Sequence, residues 1–254
     1  MQITRVNILG INVSALNMTL AAQQIDEWIQ NRQPHYVCVT PAHSVMDGYS
    51  HPELRKIFNS SGMTTPDGMA IVWLLHLNGQ KEAGRVYGPD LMETICALSP
   101  EKGWRHFFYG GAEGVADELA SRLSARNPGL QVVGVYSPPF RDLTSQEEAE
   151  ITALIRQANP DVLWVGISSP SQDRWMSRFV DPLNVPVLIG VGAAFDFLSG
   201  RKQQAPRWIQ RSGFEWLFRL VSEPRRLWRR YIQYPRFAIL ATLQLLGLKK
   251  FDSN

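Results

Sequence analysis

The chain has 254 residues, of which 44% are hydrophobic and 19% charged, and this composition excludes a disordered protein. Two cysteines are too few for a disulfide framework, and no run of 18 apolar residues that could span a bilayer occurs. The net charge is +3, but it is divided unevenly: residues 201–254 carry 12 Lys and Arg against 3 Asp and Glu, and residues 1–200 carry 14 against 20. The first residues show no signal-peptide pattern, so we expect a cytoplasmic protein, soluble or peripheral.

The first 200 residues are predicted to alternate between strands and helices. In chain order, the patterns predict a strand at Arg5–Val13, a helix at Thr19–Asn31, a strand at Tyr36–Thr40, helices at Pro52–Ser60, Met69–Leu77 and Asp90–Leu98, a strand at His106–Tyr109, a helix at Val115–Ala125, a strand at Gln131–Tyr136, a helix at Ser145–Ala158, a strand at Val162–Ile167, a helix at Gln172–Phe179 and a strand at Val185–Val191. Thr144 to Glu147 has the pattern of a helix start. Such alternation predicts an α/β fold, a Rossmann-like and mostly parallel sheet with helices on both faces.

After Gly200 the pattern changes, and no further strand is predicted. Pro206, Pro224 and Pro235 favour helix starts or breaks, which predicts helices at about 207–220, 224–234 and 236–249. We therefore divide the chain into a body of residues 1–200 and a basic helical appendage of residues 201–254, which we call the tail. Arginine interleaved with Trp and Tyr is typical of a surface that meets anionic lipid headgroups; nucleic-acid binding and packing on the body are the alternatives.

Ligands in open α/β sheets bind beyond the carboxyl ends of the strands, so the loops there hold the candidate site residues. Thr40 and His43 follow one predicted strand, and Asp67 precedes an apolar helix. Asp67 could be a general base aimed into the cleft, and both Thr40 and Asp67 could equally be helix caps. The two functions use the same side-chain oxygens, so these residues alone do not decide between them.

Three further loops contain glycine turns or polar side chains. The turn at Gly110-Gly111 lies between a strand and a helix and favours a phosphate cradle, although its G-G-x-x-G spacing departs from the dinucleotide fingerprint. Ser169 and Gln172 offer uncharged hydrogen bonds suited to a base or a sugar, and Asp196 ends another glycine turn. Polar turns that cap the next helix are the alternative interpretation of these loops.

Several chemistries leave no pattern in this sequence. There is no Asp-x-Asp, no metal-ligand spacing among the five histidines, no G-x-S-x-G elbow and no P-loop. What remains is an enzyme that acts on a phosphorylated ligand without a metal or another cofactor. The arginines of the tail could supply the positive charge for the phosphate.

An ordered set of motifs resembles one enzyme family. The motifs are Val39-Thr40 with His43, His51 to Arg55, Pro66 to Met69, Arg85 to Leu91, Phe108 to Gly111, Ser169 to Trp175, Gly192 to Phe197, and, in the tail, Ala205-Pro206, Gly213 to Leu220 and Glu223 to Tyr231. In this order they resemble the WecG/TagA/CpsF glycosyltransferases, glycosyltransferase family 26. Members are inverting enzymes that move a sugar from a UDP-sugar to an undecaprenyl-diphosphate-linked sugar at the inner face of the cytoplasmic membrane, in bacterial surface-polysaccharide assembly.

The resemblance implies roles for particular residues. Asp67 would be the catalytic base, and Thr40 would help to position a substrate. Further substrate contacts are expected from His43, Arg85, Gly110, Gly111, Ser169, Gln172 and Asp196. The tail would reach the membrane and bring Arg219, Arg226 and Arg229 near the diphosphates. One departure is Ala42, where many members have Asn, and His43 could compensate for it.

Two other function classes stay open at this point. A nucleotide-binding oxidoreductase could use the same kind of sheet and would bind nicotinamide. A non-enzymatic module that binds membrane or nucleic acid would leave Asp67 and the Gly110-Gly111 turn unexplained. For the enzyme we expect a UDP-sugar, a lipid-linked diphosphate saccharide and an anionic membrane surface as partners, and no nucleic acid. A homo-oligomer is also possible, because the sequence does not specify the oligomeric state.

Overall fold

The computed structural model describes residues 3–253, and an α/β architecture accounts for them. The strands are β1 Arg5–Ile8, β2 Ile11–Ser14, β3 His35–Thr40, β4 Met63–Pro66, β5 Arg105–Gly110, β6 Gln131–Tyr136, β7 Val162–Gly166 and β8 Val187–Gly190. The helices are α1 Met18–Asn31, α2 Ala42–Ser50, α3 Pro52–Ser60, α4 Met69–Leu77, α5 Gly88–Lys102, α6 Val115–Arg126, α7 Ser145–Ala158, α8 Ser171–Leu183, α9 Ala194–Leu198, α10 Arg207–Ser212, α11 Glu215–Ser222, α12 Pro224–Tyr231 and α13 Tyr234–Leu245. The predicted fold class, a parallel sheet flanked by helices, is confirmed.

Six of the strands form one sheet in the order β4-β3-β8-β7-β5-β6. The pairings are parallel, with Tyr36 opposite Leu188 and Phe108 opposite Trp164. Strands β7 and β8 are almost wholly buried, as expected for central strands covered on both faces. Their unbroken apolar sequences, Val-Leu-Trp-Val and Val-Leu-Ile, follow from that position.

The chain forms two compact units, each assembled from separate stretches. The first unit contains the described residues up to Ala21, Val39–Tyr87 and the chain from Gln204 onward; the second contains Ala22–Cys38 and Gly88–Gln203. The first unit thus combines the loops after β3 and β4 with α10 to α13 of the tail. Our division of the chain near residue 200 into two domains stays a prediction.

The predicted strand at Arg5–Val13 is wrong, because the chain reverses in its middle. Leu9 and Gly10 both have positive φ, 52° and 92°, which makes a tight hairpin turn between β1 and β2. These strands pair antiparallel as a separate two-stranded sheet, with Arg5 opposite Ser14. Asn7 Oδ1 accepts from the Gly10 amide and stabilises the turn. The sequence gives only one local signal for this turn, Gly10, within a run that otherwise resembles one continuous strand.

The structure also corrects the elements around the predicted loops. Strand β4 and helix α2 were both missed, since a four-residue strand ending in Pro66 and a helix that begins after Pro41 give weak periodic signals. In the tail, the predicted helix at 207–220 is two helices, because Gly213 has φ 83° and ends α10. The predicted helices at 224–234 and 236–249 are α12, which ends at Tyr231, and α13, which runs from Tyr234 to Leu245.

Within residues 3–253, none of the helices combines the length and the apolar character needed to cross a bilayer.

Candidate active site

Asp67 lies where β4 gives way to α4 and does not cap the helix. Its amide donates to the carbonyl oxygen of Thr40, the last residue of β3, at 3.4 Å. The N-cap of α4 is Gly68, with φ 97°, and no side chain caps that helix. The N-cap of α2 is Pro41, also without a side-chain hydrogen bond. The capping alternative is therefore wrong for both Thr40 and Asp67.

The Asp67 carboxylate contacts Arg85, which also pairs with a second carboxylate, that of Glu215. Oδ1 of Asp67 accepts from Nε and Nη2 of Arg85 at 3.4 and 3.3 Å. The same Nη2 donates to Oε2 of Glu215, on α11 of the tail, at 2.5 Å. The guanidinium carbon lies 4.1 Å from the centroid of the Tyr87 ring. We call Asp67, Arg85, Tyr87 and Glu215, with Arg219, the Asp67 cluster; all five belong to the first unit.

The surroundings of Asp67 make its carboxylate unusually basic. Its side chain keeps 15% of its exposure, so it is recessed but still accessible from solvent. Burial raises the pKa of Asp67 to about 6, with a further upward contribution from Glu215, against the opposing charges of Arg85 and Arg219. A carboxylate with this pKa is largely ionised at neutral pH and is still a stronger base than an ordinary Asp.

His43 and Tyr87 bring uncharged polar atoms to the same unit. Burial lowers the pKa of His43 to about 3, helped by the charges of Arg230 and Arg219, so its ring is neutral at physiological pH. Nδ1 of His43 and the Tyr87 hydroxyl are buried, and neither has a hydrogen-bond partner among the described residues. Polar atoms buried in this way are normally paired, so a substrate hydroxyl or amide is a fitting partner for each.

Aromatic rings of the tail pack beside these groups. The Tyr231 ring meets His43 edge-on at 6.4 Å between centroids and Tyr234 at 5.0 Å. Trp216 lies 6.0 Å from the Tyr231 ring. Packing of α11, α12 and the start of α13 through these rings holds Glu215 and Arg219 in place.

The three predicted tail arginines do not share one environment. Arg219 contributes charge within the Asp67 cluster. Arg226 is exposed and pairs with Glu223 at 2.7 Å, and Arg229 is exposed over the Trp228 ring. Arg230, for which the sequence predicted no role, acts on His43 together with Arg219. Helix periodicity could have found it, because Leu227 and Tyr231 are the buried residues of α12 and Arg230 lies on their face.

In the second unit, the Gly110-Gly111 turn has a structural reason for its glycines. Their φ angles are 138° and 76°. A side chain on Gly110 would meet the Gly166 backbone at 2.6 Å, so the ends of β5 and β7 need this residue to be glycine. The Gly111 amide donates to the Gly166 carbonyl oxygen at 3.1 Å and is thus already engaged. A phosphate cradle at this turn stays a prediction that must rely on other amides.

The other predicted residues of the second unit lie in two environments. The Ser169 hydroxyl donates to the carboxylate of Asp173, in the first turn of α8. Gln172 is buried beside Gly190 and Gly192, and its Oε1 has no partner among the described residues. Asp196 pairs with Lys202 at 2.8 Å, which gives its carboxylate a structural partner. Of these three, the arrangement favours Gln172 most as a ligand contact.

Metal binding has no obvious site in the described part of the chain. Across residues 3–253, no three His, Cys, Asp or Glu side chains are grouped so that they could hold an ion.

Comparison with known proteins identifies one enzyme family. The model of the glycosyl transferase WecG/TagA/CpsF family matches residues 6–251. An N-acetylglucosaminyldiphosphoundecaprenol N-acetyl-beta-D-mannosaminyltransferase of Bacillus subtilis (strain 168) is 28% identical over 77% of this chain and 74% of its own. Enzymes of the same name are 27% identical in Bacillus spizizenii, over 93% and 90% of the two chains, and 22% identical in Staphylococcus aureus (strain MW2), over 89% and 87%.

Proposed function

We propose that this chain, which belongs to the WecG/TagA/CpsF family of glycosyltransferases, moves a sugar from a UDP-sugar to a saccharide linked to undecaprenyl diphosphate. The reaction would invert the anomeric carbon and need no metal, and it would extend a bacterial surface polysaccharide. The relatives' printed name, an N-acetylmannosaminyl transfer to N-acetylglucosaminyl-diphospho-undecaprenol, supports the lipid-linked acceptor. Membership of this family decides against the oxidoreductase and the non-enzymatic binding module.

The observation that carries the proposal is the basic carboxylate of Asp67. A hydroxyl of the acceptor sugar is a poor nucleophile until a base removes its proton. With a pKa raised to about 6, Asp67 is ionised at neutral pH and can accept that proton as the oxygen attacks the anomeric carbon. One displacement of this kind inverts the configuration. In the same step the bond between the anomeric carbon and the UDP oxygen breaks, and UDP leaves with the negative charge on its diphosphate.

Arginines of the first unit would stabilise that departing charge. Arg219 acts on Asp67 and His43, and Arg230 acts on His43, so both charges reach the region of the base. Guanidinium groups fit phosphate oxygens in pairs of hydrogen bonds and stay charged at any physiological pH. Fixed positive charge aimed at the leaving group lowers the barrier without a metal ion.

Neutral polar atoms would orient the sugar. In the first unit, His43 Nδ1 and the Tyr87 hydroxyl are buried atoms that lack partners among the described residues. A substrate lacking the matching hydroxyl or amide would leave such an atom unpaired, which costs roughly 1–3 kcal/mol. Specificity for the sugar would follow from these unmet hydrogen bonds.

The outer surface of the tail fits an anionic bilayer. Its exposed apolar side chains include Trp208, Phe214, Val221, Trp228 and Ile232, with exposures of 72%, 57%, 74%, 46% and 66%. Exposed arginines of α10 and α12 alternate with them: Arg207, Arg211, Arg225, Arg226 and Arg229. Indole and arginine side chains suit the headgroup region, where each basic residue contributes on the order of 1 kcal/mol. Docking would bring the active site to an acceptor confined to the membrane.

The test of the reaction is release of free UDP from a panel of UDP-sugars, with and without a lipid-diphosphate-linked N-acetylglucosamine. We expect one donor to give acceptor-dependent release, and Asp67→Asn to lose it. Asp26→Asn is the matched control, because Asp26 pairs with Lys102 at 2.8 Å and should leave turnover unchanged. Wild-type turnover in Asp67→Asn would exclude the base, and no release from any donor would exclude the reaction.

Membrane docking has a separate test in sedimentation with phosphatidylcholine vesicles that contain or lack phosphatidylglycerol. We expect binding only to the anionic vesicles, reduced about tenfold or more by Trp208→Ala with Trp228→Ala. Phe140→Ala is the control, since Phe140 is 90% exposed but lies outside the tail. Equal binding of wild type and the double variant would contradict the docking surface.

A further inference from the structure

Glu215 belongs to the Asp67 cluster, and the reaction as proposed gives it no task. It is the first residue of α11, inside the motif from Gly213 to Leu220. It is nearly buried, with 12% of its side chain exposed, and a carboxylate in such a position needs a charged partner. Its partner is Arg85, which also contacts the base.

The distances show that Arg85 is shared unequally. Its Nη2 lies 2.5 Å from Glu215 Oε2 but 3.3 Å from Asp67 Oδ1. Undisturbed charge-assisted bonds between arginine and carboxylate close to about 2.7–2.9 Å. The contact with Asp67 is therefore longer than a free pair would make, and the short contact goes to Glu215. Stacking on Tyr87 fixes the plane of the guanidinium between the two carboxylates.

We propose that Glu215 is a positioning residue that holds Arg85 back from Asp67 and so keeps the catalytic carboxylate basic. This inference deepens the proposed function and rests on Asp67 being its base. Without the negative charge of Glu215, Arg85 would close on Asp67 as an ordinary ion pair. Such a pair stabilises the ionised carboxylate and makes it a weaker acceptor for the proton of the sugar hydroxyl.

The other charges around Asp67 do not replace Glu215. Arg85 and Arg219 both lower its pKa, and burial and Glu215 raise it. The hydroxyls of Tyr87, Tyr231 and Tyr234 have raised pKa values, chiefly through burial, so they stay neutral near pH 7. Glu215 is thus the one anionic neighbour among the groups that act on Asp67 in the described residues.

The location of Glu215 gives the tail a second task besides docking. The base is in the loop after β4, whereas the residue that sets its basicity belongs to α11. Helix α11 also carries Arg219 four residues on, so one helical face brings both an anion and a cation to the base. A tail displaced from the site would leave Asp67 paired closely with Arg85 and weakly basic.

The experiment compares Glu215→Gln with wild type in the pH profile of kcat/KM for acceptor-dependent UDP release. Glutamine keeps the shape and one acceptor oxygen for Arg85 but removes the charge. We expect the acidic limb, near pH 6 in wild type, to move down by roughly half to one unit, because Arg85 closes on Asp67. The rate at neutral pH should fall by up to about tenfold, as a weaker base removes the proton less readily. Glu215→Asp, which retains the charge at a longer distance, should lie between the two.

A matched control separates this effect from a general loss of charge. Glu93 pairs with Arg126 at 2.9 Å in the second unit, so Glu93→Gln should leave both the rate and the acidic limb unchanged. A fall in rate for Glu215→Gln with an unmoved limb would show that Glu215 only supports the structure and would overturn the inference. An unchanged profile would overturn it too.

A measurement independent of turnover distinguishes failure of this inference from failure of the proposed reaction. Carbon-13 NMR of the aspartate carboxyls, with Asp67→Asn used for assignment, reports the pKa of Asp67 directly. We expect that pKa to be lower in Glu215→Gln than in wild type, whatever the substrate proves to be. If the two pKa values coincide, Glu215 does not set the basicity of Asp67. If they differ while no UDP is released, the reaction fails and the electrostatic relation stands.

Discussion

Each unit of the molecule contains a buried polar network, and the two networks satisfy their hydrogen bonds to different degrees. In the second unit, His106 accepts at Nδ1 from the Trp164 indole at 3.0 Å and contacts the Ser99 hydroxyl through Nε2 at 2.7 Å. The Ser99 hydroxyl donates its own hydrogen bond to the Ile95 carbonyl oxygen. No charge is buried in this chain of hydrogen bonds, because burial lowers the pKa of His106 to about 3.

The Asp67 cluster of the first unit is satisfied less completely. Two carboxylates share one arginine, one of them has a raised pKa, and the Tyr87 hydroxyl has no partner within the described residues. A complete network stabilises a fold, whereas an incomplete one costs stability and is retained where a substrate completes it. The comparison therefore predicts that damage to the Asp67 cluster costs activity, and that damage to the network of His106, Ser99 and Trp164 costs stability.

The largest expected effect is on turnover in Asp67→Asn. Asparagine cannot accept the proton of the sugar hydroxyl, so kcat should fall by roughly 10²–10⁴, the usual contribution of a general base. In wild type, kcat/KM should fall as the pH drops below about 6, because Asp67 becomes protonated there. Steady-state UDP release measured against pH checks both. A variant that keeps the acidic limb of the profile would assign that limb to another group.

The second prediction concerns His106 and the stability of the fold. In a fully buried site, His106→Leu leaves the Trp164 indole without its acceptor and removes one of the two hydrogen bonds of the Ser99 hydroxyl. This should cost about 2–4 kcal/mol of unfolding free energy. The folded variant should keep its specific activity. Urea unfolding measures the loss. If His106→Leu loses activity without losing stability, the distinction between the Asp67 cluster and the network around His106 is wrong.

The titration of His106 also determines how the stability lost in His106→Leu depends on pH. Its folded pKa, about 3, lies below its unfolded value, so the native network contributes fully above the unfolded pKa of about 6.5 and weakens as the pH falls. The variant lacks this titration. The gap in stability between wild type and His106→Leu should therefore narrow between about pH 6.5 and pH 4.

A third prediction tests whether the Asp67 cluster costs stability. The folded pKa of Asp67, about 6, lies above its unfolded value of 3.8, so the folded state loses stability as the pH rises from about 4 to 6. Asp67→Asn removes this buried charge. We expect the unfolding free energy of Asp67→Asn to exceed that of wild type by about 1–3 kcal/mol at pH 8 and not to exceed it at pH 4. Equal stability of the two proteins at pH 8 would show that Arg85 compensates the charge fully.

Local signals in the sequence predicted most of the sheet, and they singled out Asp67 as a candidate site residue. Central strands such as β7 are unbroken apolar runs, and the motif around Asp67 stands out by its residues. Glu215 and Arg230 were missed because their roles come from residues far away in sequence: Glu215 meets Arg85, which lies 130 residues earlier. The hairpin at Leu9-Gly10 was missed for a local reason: Leu9 has positive φ, which leucine rarely adopts.

The smallest effect is expected at the start of α7, which the sequence predicted correctly. Thr144 Oγ1 accepts from the Glu147 amide at 3.2 Å, and Glu147 Oε2 accepts from the Thr144 amide at 2.8 Å, so both halves of a capping box are present. Thr144→Ala removes one half and should cost about 1 kcal/mol of unfolding free energy with no change in turnover.

Matched substitutions distinguish the cap from the helix that follows it. Thr144→Ser keeps the oxygen and should retain most of the stability. Thr152→Ala, later in the same helix, removes a hydroxyl that donates to the Glu148 carbonyl oxygen and should change stability by less than about 0.5 kcal/mol. If Thr152→Ala costs as much as Thr144→Ala, the loss reflects the helix and not its cap. If Thr144→Ala lowers turnover instead, α7 contributes to catalysis. The contrast between substitutions that cost activity and substitutions that cost only stability would then be wrong.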